Sequence, residues 1–518
     1  MPFISIPFLF LFLPISIAFH FLAARFGERA RLCALIAVSF VFYAAWDVRA
    51  AILLGCSIAV NYSIGRLLEQ AREDEHALQT NAFLAAGVVF NLGVLVIFRY
   101  ADFLLGTIDA VSGTNFTVGK ILVPLGILFF SCDQIAYLVD LRRGKRYATD
   151  FLRYAAFVSF FPRLVAGPLL RYGQIESQWQ QRGPSAGDLA AGVTTFVIGL
   201  AKTALLAGAV APFATAAFLA AGTGQKMELF TAWTGVFAFA CQIYFDLSGY
   251  ADMAIGLGLC FGLTLPVNFR SPYRAENIAA FWRRWNITLA DFLRDYVYVS
   301  LGGNRRGQIR TAFNLVATMV LGGLWYGAGK MFVAWALLHT IYIYIHRAWR
   351  LFCARSPALL QFDATTMARV IGVALTFMAV TLGWIVFRSA DEATALNFLA
   401  GLSGQHGAVL PSGVAPALGP LLPLVQNIGI GFAPTEMSEL LRAWMSIVLC
   451  LGVIFLSPNT ETLLSAWHTV SAPEDRSEQK PLPLKWLPLP FWSMILGALA
   501  FVCFISAGGA NAYLHWWF

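Results

Sequence analysis

Charged side chains are scarce in this sequence. Asp, Glu, Lys and Arg together make up 12% of its 518 residues, whereas a soluble domain carries about 25%. Hydrophobic residues make up 58% of the chain, and apolar runs of about 20 residues, long enough to cross a bilayer as a helix, recur along it. The ~10-residue segments of alternating polarity that build a membrane β-barrel are missing. The composition predicts an all-α polytopic membrane protein, with about 11–13 transmembrane or re-entrant helices in a single integral membrane domain over residues 1–518.

Cysteine is also sparse, and the cysteines are not spaced as disulfides or zinc sites require. The eight cysteines are scattered, mostly within apolar runs, and no two of them form a Cys-x-x-Cys pair. A disulfide framework or a zinc site needs paired or regularly spaced cysteines, so neither is expected. The cysteines are instead expected to pack as small hydrophobic side chains, and we predict no metal site.

The excess of positive charge is spread over short loops. The net charge is +8, which in a soluble protein would suggest a nucleic-acid partner. Here the Lys and Arg residues lie between apolar runs, as is typical of cytoplasmic loops, so a lipid bilayer is the expected partner and nucleic acid is not. The cluster of Arg25, Arg29 and Arg31 predicts that the first loop is cytoplasmic. The apolar run before it has no basic residues in front and is interpreted as a retained membrane helix, not a cleaved signal peptide.

Two polar interruptions occur in the first part of the chain. Asp133 lies within an apolar segment at residues 121–139, where a carboxylate either pairs with an arginine of a neighbouring helix or belongs to a site. Further on, FPRLVAGPLLR at residues 161–171 has two prolines and a glycine within seven residues. Such a sequence breaks or kinks a helix. It predicts a re-entrant element or a helix end beside a polar chamber.

Polar residues then concentrate in one stretch, residues 242–328. Its first part, QIYFDLSGYADMAIG, places Asp246, Ser248, Tyr250 and Asp252 on an otherwise apolar helix. Buried carboxylates need donors, and arginines follow shortly after. Two interpretations stay open: a structural network of ion pairs, or side chains that line a polar channel.

The next segment, ENIAAFWRRWNITLADFLRDYVYVSLGGNRR, has an amphipathic pattern. Phe281, Trp285 and Phe292 recur at helical spacing, while Arg283 and Arg284 lie largely on another face. Aromatic residues at headgroup depth beside arginines are typical of a helix at the membrane interface. The pattern predicts a tilted or interfacial helix on the cytoplasmic side.

Two glycine-rich motifs complete the stretch. The first is a turn that carries Arg305 and Arg306. Its backbone donors and guanidinium groups suit a phosphate group such as that of coenzyme A, although ordinary loop charge explains the arginines equally well. The second, LGGLWYGA at residues 321–328, carries Trp325 and Tyr326. Its small residues let helices pack closely or let a substrate pass near the backbone.

These blocks resemble the membrane-bound O-acyltransferase family, and specifically its bacterial alginate O-acetylase branch. The resemblance extends over about 300 residues, with the family core at about 150–390. The matching blocks follow in one order along the chain: FPRLVAGPLLR, QIYFDLSGYADMAIGLG, NFRSPYRAENIAAFWRRWNITLADFLRDYVYVSLGGNRR, LGGLWYGA, WALLH, GWIVFR and SPNTET.

The resemblance implies a multi-helix fold around a central tunnel and an O-acyltransferase activity. It implies that an acetyl group from acetyl-CoA or a similar cytosolic thioester, a substrate and not a bound cofactor, is moved across the bacterial inner membrane. A periplasmic acetyltransferase then completes the O-acetylation of an exopolysaccharide. The implied partners are therefore that protein and a polysaccharide acceptor, for which alginate, cellulose or another glycan would fit.

The resemblance also assigns site residues. Asn286 matches the Asn, Asp or His that follows RRW in the family, and Tyr326 stands where the family has the histidine of a G-x-W-H-G turn. The residues expected to bind substrate are Arg283, Arg284, Trp285, Arg305, Arg306, Trp325, Asp246, Ser248 and Tyr250.

Tyrosine at position 326 departs from the family pattern. Direct attack of an alcohol on a thioester needs a proton acceptor with a pKa near neutrality, and tyrosine, with a reference pKa of about 10, is a poor one. It could still donate a hydrogen bond to the thioester carbonyl or position the acceptor. None of the seven histidines lies in LGGLWYGA; His339 follows Tyr326 by 13 residues, and the family tends to have a histidine there as well.

Two hypotheses follow for the function. In the first, the chain is an active O-acyltransferase with Tyr326 and Asn286 at the site and His339 assisting. In the second, it is a catalytically impaired relative that acts as a scaffold or acyl conduit for a periplasmic acetyltransferase. A small-molecule transporter has little support, because no internal repeat is apparent in the sequence.

Overall fold

Helices account for nearly all of the regular structure. The computed structural model describes residues 3–113, 122–147, 150–164, 167–179, 185–427, 429–433, 437–464 and 490–507. Residues 471–485, whose mixed charges and prolines are typical of a loop, lie outside the described residues.

The α-helices fall into four successive groups. The first group is Leu13–Ala24, Glu28–Ala44, Val48–Glu73, Ala77–Leu95 and Ala101–Ser112. The second is Ile127–Arg142, Phe151–Ser159, Phe161–Leu164, Tyr172–Ile175, Ala186–Ala201, Gly208–Gly222 and Leu229–Cys260. The third is Ile278–Trp282, Ile287–Phe292, Gln308–Tyr326, Lys330–Cys353, Pro357–Asp363, Thr366–Arg388 and Glu392–Leu402. The fourth is Ala415–Leu418, Leu422–Asn427, Met437–Leu456, Thr460–Leu464 and Pro490–Ala507.

Short π-helical and 3₁₀ turns join or extend these helices. The π-helical turns are Phe8–Phe12, Val96–Tyr100, Lys202–Ala207 and Leu293–Tyr298. The 3₁₀ turns are Glu176–Gln178, Pro272–Arg274, Ser412–Val414 and Gly419–Leu421. A π turn is a rare irregularity that often lies beside a functional site. Val96–Tyr100 borders the cleft described below through Arg99.

Five stretches of helix are long and apolar enough to cross a membrane. They are Val48–Glu73, Ala77–Asp109, Ala186–Gly222, Thr366–Arg388 and Met437–Leu456. Together with the scarcity of strands among the described residues, they confirm the predicted all-α polytopic membrane fold. The predicted number of about 11–13 segments also counts shorter and more polar helices, and that number stays a prediction.

Two short strands lie in the part of the chain that follows Glu392–Leu402. Ala408–Pro411 pairs in parallel with Ile430–Ala433, with Ala408 opposite Ile430. The first strand falls in the segment at residues 402–419, which has no Lys, Arg, Asp or Glu, as is typical of an external loop. The loop therefore carries regular backbone pairing in addition to short helical turns.

The central helix, Leu229–Cys260, is 32 residues long and touches the helix Ala186–Ala201 backbone to backbone. A Cβ atom added to Gly199 would lie 2.5 Å from the carbonyl oxygen of Gly249. A Cβ atom added to Gly256 would lie 2.5 Å from the carbonyl oxygen of Gly192. Because no side chain fits in these contacts, glycine is required for the close packing of the two helices.

Buried apolar side chains form two large clusters with a small one between them. The first large cluster includes Phe161 and draws mainly on helices that precede Gly208. The second is centred on the later helices around Trp335. The small cluster consists of Cys132, Leu169 and Leu289 and borders the side chains of Trp325 and Tyr326. The LGGLWYGA motif, which carries Trp325 and Tyr326, therefore lies where the two large clusters meet. We call this boundary the seam.

Candidate active site

A cleft opens at this seam. It encloses about 740 Å³ of empty space, including its open mouth. Its polar lining consists of Arg99, Asn268, Asn286 and Tyr326, and the other side chains that line it are apolar or aromatic, Trp325 among them. The cleft thus combines a few convergent polar groups with an apolar wall, which is typical of a small-molecule binding site.

The hydroxyl group of Tyr326 is the centre of the polar lining. It accepts a hydrogen bond from Asn286 Nδ2 at 2.9 Å and another from Trp285 Nε1 at 3.1 Å. Residues 40 positions apart in the sequence therefore meet, as the family resemblance implies. Because two N–H donors already point at the phenolic oxygen, the O–H group is directed to donate to a third partner.

Asn286 owes its place to a break in the predicted amphipathic helix. The sequence predicts one continuous helix here, and this is wrong: Ile278–Trp282 and Ile287–Phe292 are separate, and Asn286 between them has a φ of 44°. Asparagine tolerates this left-handed conformation better than most residues. Its side chain makes no capping bond to the following helix, so the carboxamide is available to Tyr326.

A second hydrogen-bond hub fixes the same turn. The Thr288 hydroxyl donates to Asn268 Oδ1 at 2.9 Å and accepts from the backbone N–H of Leu169 at 2.9 Å. Asn268 Oδ1 also accepts from the Thr288 N–H at 3.1 Å, and the Asn268 carbonyl accepts from the Ile287 N–H at 3.0 Å. Three segments that are distant in sequence are thereby joined directly beside Asn286.

The broken segment at residues 161–171 forms one wall of the cleft. After the short helix Phe161–Leu164, Gly167 and Leu169 line the cleft. A buried ion pair holds the segment: Arg163 contacts the carboxylate of Asp133, whose second oxygen accepts from the Leu170 N–H at 3.3 Å. Of the two interpretations of Asp133, pairing with an arginine is therefore confirmed, and the predicted helix break lies beside a partly polar cleft.

Arg99 also lines the cleft and was not singled out from the sequence. Its Nη2 lies 3.4 Å from the carbonyl oxygens of both Trp325 and Tyr326, and the hydroxyl of Tyr100 donates to the Leu324 carbonyl at 2.9 Å. In the sequence Arg99 resembles the charge that ends an apolar run. One sequence feature could have shown that Arg99 lies within the fold: apolar residues continue after it, and they form the helix Ala101–Ser112.

His339 lies outside the cleft lining, in a closed aromatic box formed by Phe281, Trp282, Trp335, Tyr342 and Trp384. Their ring centroids lie 4.7–6.5 Å from that of His339. Its imidazole is fully buried, and neither ring nitrogen has a hydrogen-bond partner among the described residues.

Trp335 packs between the histidine and the tyrosine. The centroid of its ring is 4.7 Å from that of His339 and 5.6 Å from that of Tyr326. The structure therefore brings Tyr326, Asn286 and Trp285 together and leaves His339 behind an indole ring.

The polar residues of the central helix do not line the cleft; only Leu247 of that helix does. Asp246 is buried, takes a hydrogen bond from Gln242 and faces the guanidinium of Arg388. Ser248 and Tyr250 are buried as well.

Asp252, two residues after Tyr250, is held in an ion pair. Its Oδ2 lies 2.6 Å from Lys202 Nζ and also accepts from the Thr460 hydroxyl at 2.6 Å. These contacts favour the ion-pair interpretation of the helix over the channel interpretation. The expected contribution of Asp246, Ser248 and Tyr250 to substrate binding stays a prediction.

The predicted basic binding residues lie away from the cleft lining. Arg283 is exposed, and Arg284 donates to the Arg274 carbonyl at 3.4 Å. Arg305 and Arg306 are exposed in the glycine turn. If these arginines bind a phosphate of the donor, they do so at a surface that does not include the Tyr326 hydroxyl.

Comparison with known proteins identifies the class of protein. Residues 33–387 match the membrane-bound O-acyltransferase family, and the chain belongs to this family. The chain is 38% identical over 396 residues to a Pseudomonas aeruginosa protein named "Probable alginate O-acetylase AlgI", with 76% of this chain and 72% of that protein covered.

Two further relatives have other names. The chain is 34% identical over 433 residues to the peptidoglycan O-acetyltransferase of Helicobacter pylori, with 78% of this chain and 80% of the relative covered. It is 22% identical over 407 residues to the teichoic acid D-alanyltransferase of Streptococcus thermophilus, with 74% and 93% covered. These similarities confirm the resemblance to the alginate O-acetylase branch.

Proposed function

We propose that the chain moves an acetyl group from a cytosolic thioester, such as acetyl-CoA, across the inner membrane for the O-acetylation of an extracellular polysaccharide. The observation that carries the proposal is the Tyr326 hydroxyl, held by Asn286 and Trp285 beside the cleft. The names of the relatives support it, since they describe acyl transfer to alginate, peptidoglycan and teichoic acid.

The direction of transfer is argued from the helix Gln308–Tyr326. Its first residue follows the basic turn at 302–306, which the positive-inside rule assigns to the cytoplasm. On this basis the donor approaches from the cytoplasm and the acceptor from the outer face of a bacterial inner membrane.

In the proposed reaction, the Tyr326 O–H donates a hydrogen bond to the thioester carbonyl oxygen, where negative charge develops. The acceptor oxygen attacks the carbonyl carbon, and the carbon–sulfur bond breaks. The departing thiolate takes up the proton that the acceptor hydroxyl loses, which gives an ester and a free thiol. Asn286 and Trp285 fix the phenol oxygen, so that the O–H group is oriented before the substrate binds.

The proposal is tested in inverted membrane vesicles that carry the full chain, labelled acetyl-CoA and an acceptor polysaccharide. Ester-linked label, released by mild alkali, is compared between the natural chain and Tyr326→His. We expect measurable transfer by the natural chain and at least tenfold more by Tyr326→His, because a histidine adds general base catalysis that is worth about 10²–10⁴-fold. Absence of label with both chains would contradict the proposed activity.

One observation favours a second candidate function. No histidine, aspartate or glutamate is found among the described residues that line the cleft, so the site lacks an ordinary general base. A catalytically impaired scaffold or acyl conduit for a periplasmic acetyltransferase would need none. If neither chain labels the polysaccharide but a periplasmic acetyltransferase co-purifies with both, this second function replaces the first.

A further inference from the structure

The SPNTET motif at residues 457–462 takes part in the family resemblance but not in the described lining of the cleft. Asn459 accepts a hydrogen bond from the Thr462 N–H at 2.7 Å, directly before the short helix Thr460–Leu464. Within this helix Glu461 is buried. A buried carboxylate in a membrane protein is costly and usually serves a specific task, so the contacts of Glu461 indicate what the motif does.

Glu461 is held by Arg270 in a two-pronged ion pair. Arg270 Nε lies 2.9 Å from Glu461 Oε2, and Arg270 Nη2 lies 3.1 Å from Glu461 Oε1. The Glu461 side chain is 3% exposed, and the two residues are 191 positions apart in the sequence. Because both carboxylate oxygens meet the planar guanidinium, the pair fixes orientation as well as distance. The SPNTET motif therefore fixes the position of Arg270.

Arg270 belongs to a segment that pairs with the turn of the candidate active site. The Arg270 N–H donates to the Arg284 carbonyl at 3.0 Å, and the Ile287 N–H donates to the Asn268 carbonyl at 3.0 Å. Phe269, in the middle of the segment, lines the cleft. The two backbone bonds enclose the two residues of the turn between them, so a shift of the segment moves both of those residues.

The two enclosed residues are Trp285 and Asn286, whose side chains donate to the Tyr326 hydroxyl at 3.1 Å and 2.9 Å. Asn286 has a φ of 44°, and Ser271, which directly follows Arg270, has a φ of 45°. A left-handed backbone at a residue other than glycine is unfavourable and persists only where surrounding contacts hold it. The ion pair that holds Arg270 supplies such a contact.

The motif is itself anchored to the central helix, Leu229–Cys260. The Thr460 hydroxyl donates to Asp252 Oδ2 at 2.6 Å and accepts from Lys202 Nζ at 2.9 Å. Asp252 belongs to the central helix, and the contact spans 208 positions of the sequence. Because the motif is tied to the longest helix near the site, it can hold Arg270 in one place.

We propose that Glu461 is a positioning residue for the reaction at Tyr326. Through Arg270 it holds the segment at 268–270, and this segment holds the turn that orients the Tyr326 O–H toward the thioester carbonyl. Glu461 itself does not line the cleft. A small displacement of an orienting group is costly where a reaction depends on a preorganised donor. The inference rests on the proposed function, because it assumes that the reaction uses the Tyr326 hydroxyl.

The placement of the Tyr326 hydroxyl is measured first, without any reaction. The full-length protein is purified in detergent with meta-fluorotyrosine at position 326, whose fluorine resonance responds to hydrogen bonds at the phenol oxygen. Glu461→Gln replaces one of two acceptor oxygens with an amide nitrogen, so we expect this resonance to shift or broaden. Glu461→Asp keeps the charge on a shorter side chain and is expected to give a smaller change.

Glu69→Gln is the matched control. Glu69 is buried and pairs with Arg66 at 3.0 Å, but neither residue lines the cleft. This variant is expected to leave both the fluorine resonance and acetyl transfer unchanged. Thermal unfolding in detergent identifies variants that do not fold, and if Glu461→Gln is one of them the comparison is made with Glu461→Asp.

Acetyl transfer in inverted vesicles supplies a second measurement. We expect Glu461→Gln to lower kcat about tenfold and to change the KM for acetyl-CoA by less than about twofold, because the affected interaction is made in the transition state. In a Tyr326→Phe chain the same change is expected to cost less than about twofold, since no hydroxyl is left to orient. A purely structural role of Glu461 would lower transfer by the same factor in both chains.

Two results would overturn the positioning role. One is a Tyr326 resonance that both Glu461 variants leave unchanged, and the other is an equal loss of transfer from Glu461→Gln in the natural and Tyr326→Phe chains. A resonance that depends on Glu461, in a chain that transfers no acetyl group, would leave the placement of the hydroxyl standing and contradict the proposed reaction.

Discussion

Two buried polar sites lie on either side of Trp335, and they are built in opposite ways. At Tyr326 the hydroxyl is held by two donors and borders about 740 Å³ of space. At His339 both ring nitrogens lack a partner among the described residues, and aromatic rings surround the imidazole on several sides. The first site is ordered and open, whereas the second is enclosed.

The comparison shows that the more basic of the two side chains is not the one that borders the cleft. Histidine is the better proton acceptor, but this one is shielded from the cleft by an indole ring. Tyrosine is the weaker acceptor, but this one has a preorganised hydroxyl where a substrate can reach it. We therefore propose that Tyr326 carries the chemistry and that His339 contributes packing. Three variants test that proposal, and a fourth tests the wall of the cleft.

The largest effect is expected from Asp133→Ala, which removes the partner of Arg163 behind the wall of the cleft. An unpaired buried guanidinium destabilises a fold by about 3–5 kcal/mol. Thermal unfolding in detergent measures the loss, and Asp133→Leu combined with Arg163→Met is expected to recover much of it, because that pair buries no charge. If Asp133→Ala unfolded at the same temperature as the natural chain, the wall of the cleft at residues 161–171 would not depend on the ion pair.

Tyr326→Phe is expected to lower acetyl transfer by about 10²–10³-fold, as loss of an oriented donor to a developing oxyanion does elsewhere. The ring and its packing remain, so thermal unfolding should change little. The measurement is ester-linked label on the polysaccharide per unit of folded protein. Transfer at the natural rate by the phenylalanine variant would remove Tyr326 from the mechanism.

Asn286→Ala is expected to have a smaller effect, about tenfold on transfer, because it removes one of the two donors to the Tyr326 oxygen and leaves Trp285 in place. Asn286→Asp is the matched variant: it keeps the size of the side chain but cannot donate when ionised. Both variants should therefore lose activity. Retention of full activity by the aspartate variant would show that the donor at position 286 is dispensable.

The smallest effect is expected from His339→Phe, which replaces the imidazole with a ring that suits its aromatic surroundings. We expect transfer within about threefold of the natural rate, because no proton transfer is assigned to this residue. The dependence of the rate on pH should be the same in both chains. A loss comparable to that of Tyr326→Phe, with a changed pH profile, would place His339 in the reaction and reverse the comparison.

Much of the fold was predictable because bilayers impose simple rules on sequence. Long apolar runs predict helices, and the prolines and glycine at residues 161–171 predict the break that now forms a wall of the cleft. The meeting of Asn286 and Tyr326 followed from the family resemblance and is confirmed. The pairing of Asp133 with an arginine was one of two options, and its partner was identified only by the structure.

What could not be predicted depends on contacts between distant segments. The pattern of Phe281, Trp285 and Phe292 predicts a continuous helix, but periodicity does not report that Asn286 adopts a left-handed conformation. In the sequence Arg99 resembles a charged residue in a loop. Only the structure shows that helix continues on both sides of it. Thr288 is an ordinary helical residue in the sequence, and its importance appears only when Leu169 and Asn268 lie beside it.

The bond between the Leu169 N–H and the Thr288 hydroxyl spans 119 residues, and this has a consequence for biogenesis. A ribosome delivers the broken segment to the membrane long before it delivers the residue that satisfies its backbone. During that interval the segment needs another source of hydrogen bonds, such as water or the insertion machinery. The cleft is thus assembled late in synthesis, and acquisition of transfer activity would report the completion of insertion.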